Sequence, residues 1–253
     1  MLIFFIINAN IVALERFMQK ILSTMRKAVE KYKLIENGDK IAVGLSGGKD
    51  SLVLLKALKM FQRFNIYNYE IIAVTVDIYS GKEDYSHLQK FCDELGVELI
   101  VEKTDIHQVV FDERKEKNPC SLCAKMRRGA LNSVANRCGC NKIALGHHLQ
   151  DVIETFFLSL LYEGRLSTMK PKSYMSNSQI TLIRPLFLTH ENSIRAVSKD
   201  LPVKKSKCPA DKDSKRQDIE KLIEDINRII PDSKKRIESA IISTDSYNLL
   251  DKE

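Results

Sequence analysis

From Phe17 to Leu34 apolar residues recur at helical spacing among Lys and Arg, and Asn37-Gly38-Asp39 marks a turn. Ile41–Leu45 is a short continuous apolar run, the signature of a buried strand, and Leu52–Phe64 is an apolar-rich helix. Tyr69–Val76, rich in Ile, Val and Thr, predicts a second strand ending at Asp77. A helix over Tyr85–Leu95, stopped by Gly96, leads to a strand over Val97–Val101. A helix over Met126–Ala135, a strand over Lys142–Leu145 and a strongly apolar helix over Asp151–Tyr162 follow. Strand and helix alternate at βαβ lengths, so the pattern predicts an α/β fold: a parallel sheet with helices on both faces. Beyond Arg184-Pro185-Leu186 the pattern is helical, over Glu191–Lys199, Gln217–Ile230 and Lys234–Ile242, with prolines between. The expected organisation is a helical segment 1–36, an α/β body 37–186 and a small helical C-terminal appendage 187–253.

Composition narrows the class. A chain of 253 residues with 44% hydrophobic and 29% charged residues has the make-up of a globular protein, not a disordered one. Six Cys are too few at this length for a disulfide scaffold, so they read as reduced thiols or ligands in a cytoplasmic protein. Leu2–Ile7 is apolar but far short of the roughly 20 residues that span a bilayer. It also lacks the flanks of a signal peptide, so no membrane association is expected and Met18 is a candidate start. The net charge of +7 is unevenly spread. Arg114–Arg128 and Lys204–Arg216 each hold six basic residues and are strongly positive, leaving the remainder slightly acidic. Each run also carries Cys: Cys120 and Cys123 in the first, Cys208 in the second. A solvated loop explains either run alone; the pair together suggests a polyanion surface beside a metal site.

Three strings carry chemistry. Ser46-Gly47-Gly48-Lys49-Asp50-Ser51 stands between a strand and a helix, where glycines let an anion approach the backbone and the helix start offers free N–H groups. Ser46 and Ser51 add hydroxyls, Lys49 a charge, and Asp50 a carboxylate for Mg²⁺. The order is neither a Walker A loop nor a Gly-x-Gly-x-x-Gly turn. Gly146-His147-His148-Leu149-Gln150-Asp151-Val152-Ile153-Glu154-Thr155 falls at the carboxyl end of a strand, where open α/β sheets place ligands. There Asp151 can complete a magnesium site with Asp50, and His147 can contact the nucleotide or the reacting base; a His pair at a helix start also serves as a mere cap. Cys120-Ser-Leu-Cys123, followed by Lys125, Arg127 and Arg128, can grip one metal with Cys208 as third ligand. A redox pair, a zinc site completed by His, or buried thiols are the other readings. Cys138 and Cys140 read as structural thiols, and Cys92 as core.

The first string resembles the signature of the PP-loop ATP pyrophosphatases, Ser-Gly-Gly-x-Asp-Ser. The three strings in this order, with Gly38-Asp39-Lys40-Ile41 and Arg184-Pro185-Leu186, closely resemble the bacterial tRNA 2-thiocytidine synthetase family from about Phe17 to Ile230. The resemblance implies an adenine-nucleotide alpha hydrolase-like domain that binds ATP and Mg²⁺ through Ser46, Gly47, Gly48, Lys49, Asp50, Ser51, Asp77, Gly146 and His147. Lys49, Asp50, Asp151 and His147 would be catalytic. Cys120, Cys123 and Cys208 would hold a 4Fe–4S cluster, with one iron open to sulfide. The implied reaction adenylates the C2 oxygen of cytidine 32 in tRNA and then replaces it with sulfur; an unpaired loop base suits such an enzyme. Lys125, Arg127, Arg128, Lys204, Lys205 and Arg216 would face tRNA. A sulfur donor (a cysteine desulfurase or sulfide) and a homodimer are further implications. The chain departs from the family pattern in two places: Gln150 stands where a second aspartate is usual, and Cys208 stands without the second Cys of a paired motif. The competing readings are a thiolase of another tRNA position or acceptor, and a non-catalytic nucleotide- and metal-binding redox protein.

Overall fold

A computed structural model of the chain describes residues 2–114, 119–204 and 215–243. The described elements are α1 (Leu2–Tyr32), β1 (Asp39–Gly44), α2 (Lys49–Phe61), β2 (Tyr69–Asp77), α3 (Ser86–Leu95) and β3 (Glu98–Lys103). A π-helical segment, Gln108–Glu113, precedes α4 (Pro119–Arg137) and β4 (Lys142–Ala144). Then come α5 (Leu149–Glu163), β5 (Lys172–Met175), β6 (Ile180–Ile183), α6 (Glu191–Val197), α7 (Lys215–Ile229) and α8 (Ser233–Ile242). Among the described residues no helix is long and apolar enough to cross a membrane.

The six strands are ordered β3-β2-β1-β4-β6-β5. All pairs are parallel except β5–β6. Successive residues of each central strand enter opposite cores, because side chains alternate across a strand. Ile41, Val43, Ala73, Ala144 and Ile183 join α1, α2, α3 and α6 on one face. Ala42, Ile72, Val74, Ile143 and Leu182 meet α4 residues Leu131, Val134 and Ala135 on the other. Both faces are therefore covered, which is why these strands read as unbroken apolar runs.

At the amino ends of β1 and β4 sits a buried ionic knot. Lys142 Nζ lies 2.7 Å from Asp39 Oδ2 and 2.9 Å from Glu36 Oε2, and it donates to the Leu34 carbonyl at 3.1 Å. Asn141 Nδ2 completes it by donating to Asp39 Oδ1 at 2.8 Å. The knot ties two neighbouring strands at the end opposite the loops that follow them.

Several expectations need correction. The edge of the sheet is not parallel: β5 and β6 form an antiparallel pair that the sequence did not announce. Four-residue strands are too short to show an alternation, and Lys172–Met175 has no apolar run at all. Helix α4 begins at Pro119, not Met126, so Cys120 and Cys123 stand in its first two turns. Pro is well placed there, since its missing N–H would have had no intrahelical partner. The three-part division is also replaced by two compact units. Of the described residues, those up to His148 and from Lys170 to Lys204 form the first, and Leu149–Met169 with those from Lys215 form the second. Helix α1 belongs to the α/β body because Met18, Ile21, Leu22, Met25, Ala28 and Val29 are all in its core. Helix α5 belongs with α7 and α8, joined through Leu149, Ile153, Ile219 and Ile223.

Candidate nucleotide and metal site

The loop between β1 and α2 is shaped from within. Gly47 has φ +78°, a left-handed conformation that side chains rarely adopt. Leu45 is fixed on both sides: its N–H donates to the Val74 carbonyl at 2.8 Å, and its carbonyl accepts from Thr75 Oγ1 at 2.7 Å. Gly48 is the N-cap of α2 and brings no side chain, so the first N–H groups of the helix remain available to an anion. Ser51, expected at the phosphate, is buried and turned inward. Its Oγ donates to the Gly48 carbonyl at 2.9 Å and accepts the Ser46 N–H at 3.2 Å, which makes it a staple of the loop. Ser46 stays exposed. Gly146, at the end of β4, abuts this loop so closely that a Cβ there would lie 2.8 Å from the carbonyl carbon and oxygen of Asp50.

Charges converge at the start of α2. Lys49 Nζ lies 3.1 Å from Asp50 Oδ2 and 3.3 Å from Glu191 Oε1. Burial works against its ammonium, but the two carboxylates outweigh burial and raise its pKa. Glu191, the first residue of α6, is also gripped by Arg195 at 3.0 Å. Burial opposes its ionisation, yet Arg195 and Lys49 hold its pKa below the usual carboxylate range. Asp50 Oδ1 is buried, accepts no hydrogen bond, and has His148 Nε2 at 3.4 Å. A sealed carboxylate oxygen beside an anion-binding loop fits a hard cation such as Mg²⁺, which prefers oxygen ligands. The glycine-lined loop, with the N–H groups at the start of α2 and the Lys49 ammonium, likewise fits a polyphosphate.

Other expected residues are placed differently. His147 is turned to Arg184, whose Nε donates to its Nδ1 at 3.0 Å; the proton of a neutral ring is thereby directed to Nε2. It is His148, 5% exposed, that faces Asp50. Asp77 is buried. Its carboxylate accepts the Tyr79 and Gly81 N–H groups at 2.9 and 2.6 Å and the Tyr85 hydroxyl at 3.2 Å, and so folds the turn after β2. Within the helical unit, Asp151 is clasped by Arg216 at 2.6 Å, and Arg216 also reaches Glu154 at 3.5 Å. The Arg216 guanidinium, expected at RNA, is thus engaged by two carboxylates. Burial pushes the Glu154 carboxyl up to about 7, against the pull of Arg216.

On α4, Cys120 is exposed and Cys123 buried against Ile106 and Val110. Two soft thiols three residues apart on one helix fit part of an iron–sulfur ligand set. Among the described residues no group of three or more metal-type side chains gathers, and the proposed third ligand, Cys208, lies outside them, as does Lys205. Lys125, Arg127 and Arg128 are exposed along the same helix. Lys204 is pinned instead, its N–H donating to the Gly47 carbonyl at 3.2 Å and its Nζ to the Asp84 carbonyl at 3.1 Å. Cys92 and Cys140 are buried, and burial pushes both thiols up to about 11, as befits core residues. Glu191 and His148 escaped sequence reasoning: the first is far from the loop in sequence, and the second was masked by its neighbour.

A doubly covered parallel sheet with this loop after its first strand defines a nucleotide-binding protein of the PP-loop class. Residues 15–219 match the family described as PP-loop domain. The chain is 37% identical over 248 residues to a tRNA-cytidine(32) 2-sulfurtransferase of Syntrophotalea carbinolica, covering 94% of this chain and 93% of that one. It is 37% identical to the Pseudomonas syringae pv. tomato enzyme of the same name, covering 90% and 84%. Among solved structures, the U34-tRNA thiolase NcsA from Methanococcus maripaludis, with its 4Fe–4S cluster, is similar at TM-score 0.72 and 28% identity, covering 90% of this chain and 78% of that one. The chain belongs to the tRNA-cytidine(32) 2-sulfurtransferase family.

Proposed function

We propose that this protein is an ATP-dependent tRNA thiolase that replaces the C2 oxygen of cytidine 32 with sulfur. The observation that carries the reading is the loop Ser46–Ser51, glycine-lined and flanked by Lys49 and Asp50, in a chain with 37% identity to enzymes of that name. In this reading the N–H groups at the start of α2 and the Lys49 ammonium hold the phosphates of ATP. Asp50 would hold magnesium, and His148, 3.4 Å from its Oδ1, would steady that carboxylate. The C2 oxygen of the base attacks the α-phosphorus, pyrophosphate leaves, and AMP becomes the group that sulfur displaces. Arg184 fixes the orientation of the His147 ring. An iron–sulfur cluster on Cys120, Cys123 and Cys208 would supply an open iron position for sulfide. Lys125, Arg127 and Arg128 would take the RNA backbone. Sulfide or a cysteine desulfurase as sulfur source, a homodimer and a cytoplasmic location complete the proposal.

The test is mass spectrometry of tRNA nucleosides from cells lacking the gene: 2-thiocytidine should vanish and return with the wild-type chain but not with Asp50→Asn. Unchanged 2-thiocytidine with loss of another thiolated nucleoside would instead favour the second reading, thiolation at another tRNA position. That reading draws on the similarity to a U34-tRNA thiolase, at the lower identity of 28%.

A further inference from the structure

We propose that His87 is a further ligand of the pyrophosphate half of ATP, acting from the side of Gly47. Both ring nitrogens, Nδ1 and Nε2, are buried without a hydrogen-bond partner. A neutral imidazole carries one donor and one acceptor, and leaving both unmet is costly unless a ligand meets them. The location supplies that ligand. His87 sits in the first turn of α3, and its Nε2 is 4.0 Å from the position a Cβ would take on Gly47, the left-handed residue of the phosphate loop. Lys204 stands at the same spot: its N–H holds the Gly47 carbonyl, and its Nζ holds the carbonyl of Asp84, three residues before His87. The charged groups that face the ring are Lys204 and Asp84. Burial first, and Lys204 second, hold the ring below its ordinary pKa, against Asp84. The ring therefore waits as a neutral donor beside the phosphate loop. A phosphate oxygen arriving there would accept the Nε2 proton and draw a second proton onto the ring, since a neighbouring anion favours the charged form.

The inference deepens the reading of Ser46–Ser51 as the ATP loop and rests on it. The test is ¹⁵N NMR of the imidazole in the full-length wild-type protein, titrated with inorganic pyrophosphate and, separately, AMP. Calorimetry of both ligands and of ATP follows on the wild type, His87→Gln and His87→Asn. Pyrophosphate should shift the His87 ring nitrogens and raise their titration midpoint, whereas AMP should not. The variants should bind pyrophosphate about tenfold more weakly, the loss expected for one hydrogen bond to a charged group, with AMP binding unchanged. If pyrophosphate binds the wild type while His87 does not respond, or if both variants bind it equally well, the inference is overturned and the ATP loop stands. If neither ATP nor pyrophosphate binds the wild type, both fall.

Discussion

Replacing Gly146 with Ala should weaken nucleotide binding and slow the reaction while leaving the fold in place. The added methyl would stand 2.8 Å from the Asp50 carbonyl carbon and oxygen and 3.0 Å from the Ser51 nitrogen, whereas ordinary contact begins at 3.4 Å. All three are backbone atoms at the start of α2, so no side chain can swing aside. Relieving the overlap requires a shift of about 0.6 Å between β4 and α2, and overpacking of this kind costs about 1–3 kcal/mol. That is a minor part of the roughly 5–15 kcal/mol that stabilises a domain, so the chain should still fold. Function is less forgiving. The atoms displaced carry Asp50 and the free N–H groups that would hold phosphate, and a misplacement of about 1 Å at a reacting site can cost about 100-fold in rate. The assay pairs a denaturation curve with ATP calorimetry and tRNA-stimulated release of AMP. Gly129→Ala, in α4 where nothing lies within 4 Å of the new methyl, is the control and should keep full ATP affinity. Wild-type ATP affinity in the Gly146 variant would refute the tight packing of these two elements.

Lys142→Met should destabilise the protein by about 3–5 kcal/mol in chemical denaturation, because it strands the Asp39 carboxylate at 4% exposure. Adding Asp39→Leu should recover part of that loss, and no recovery would mean that the pair does not act as a unit. Glu154, held neutral by burial with a pKa of about 7, should favour folding fully below pH 4.5, and this contribution should fade as pH rises through 7. Thermal melts of wild type and Glu154→Gln between pH 5 and 8 should therefore diverge, with the wild type losing ground at the higher pH; parallel curves would remove Glu154 as the cause. Charge reversal at Arg127 and Arg128 should weaken tRNA binding and flatten its salt dependence, and an unchanged slope would take these residues off the RNA surface. Anaerobically prepared protein should show broad thiolate-to-iron absorbance that Cys120→Ser removes; a colourless wild type loaded with zinc would replace the cluster by a different metal.

The parts of this molecule that were legible in its sequence are those written locally. The central strands declare themselves because burial on both faces leaves a run such as Ile41–Val43 wholly apolar, and the phosphate loop because six consecutive residues build it. Residues that act at a distance were harder to read. Spacing cannot say which of two adjacent side chains turns inward: the string points to His147, whereas it is His148 that meets Asp50. Nothing near Glu191 in sequence signals that it meets Lys49 across the fold. Asp77 has the composition of a ligand but spends its oxygens on its own turn, a choice made by the backbone of Tyr79 and Gly81. The start of α4 was hidden because Cys and Ser are indifferent helix formers, so only Pro119 hinted at it.

The bond from Lys204 to Gly47 joins main chain to main chain, and that has a consequence for how the protein can vary. Nineteen of the twenty residues present the same N–H, so the tether survives almost any substitution at that position, and a comparison of side chains would not register it. Only proline would cut it. An engineer who rewrote every basic residue around position 204 would alter charge yet keep the fastening, whereas a single Lys204→Pro would keep the neighbouring charges and release the loop.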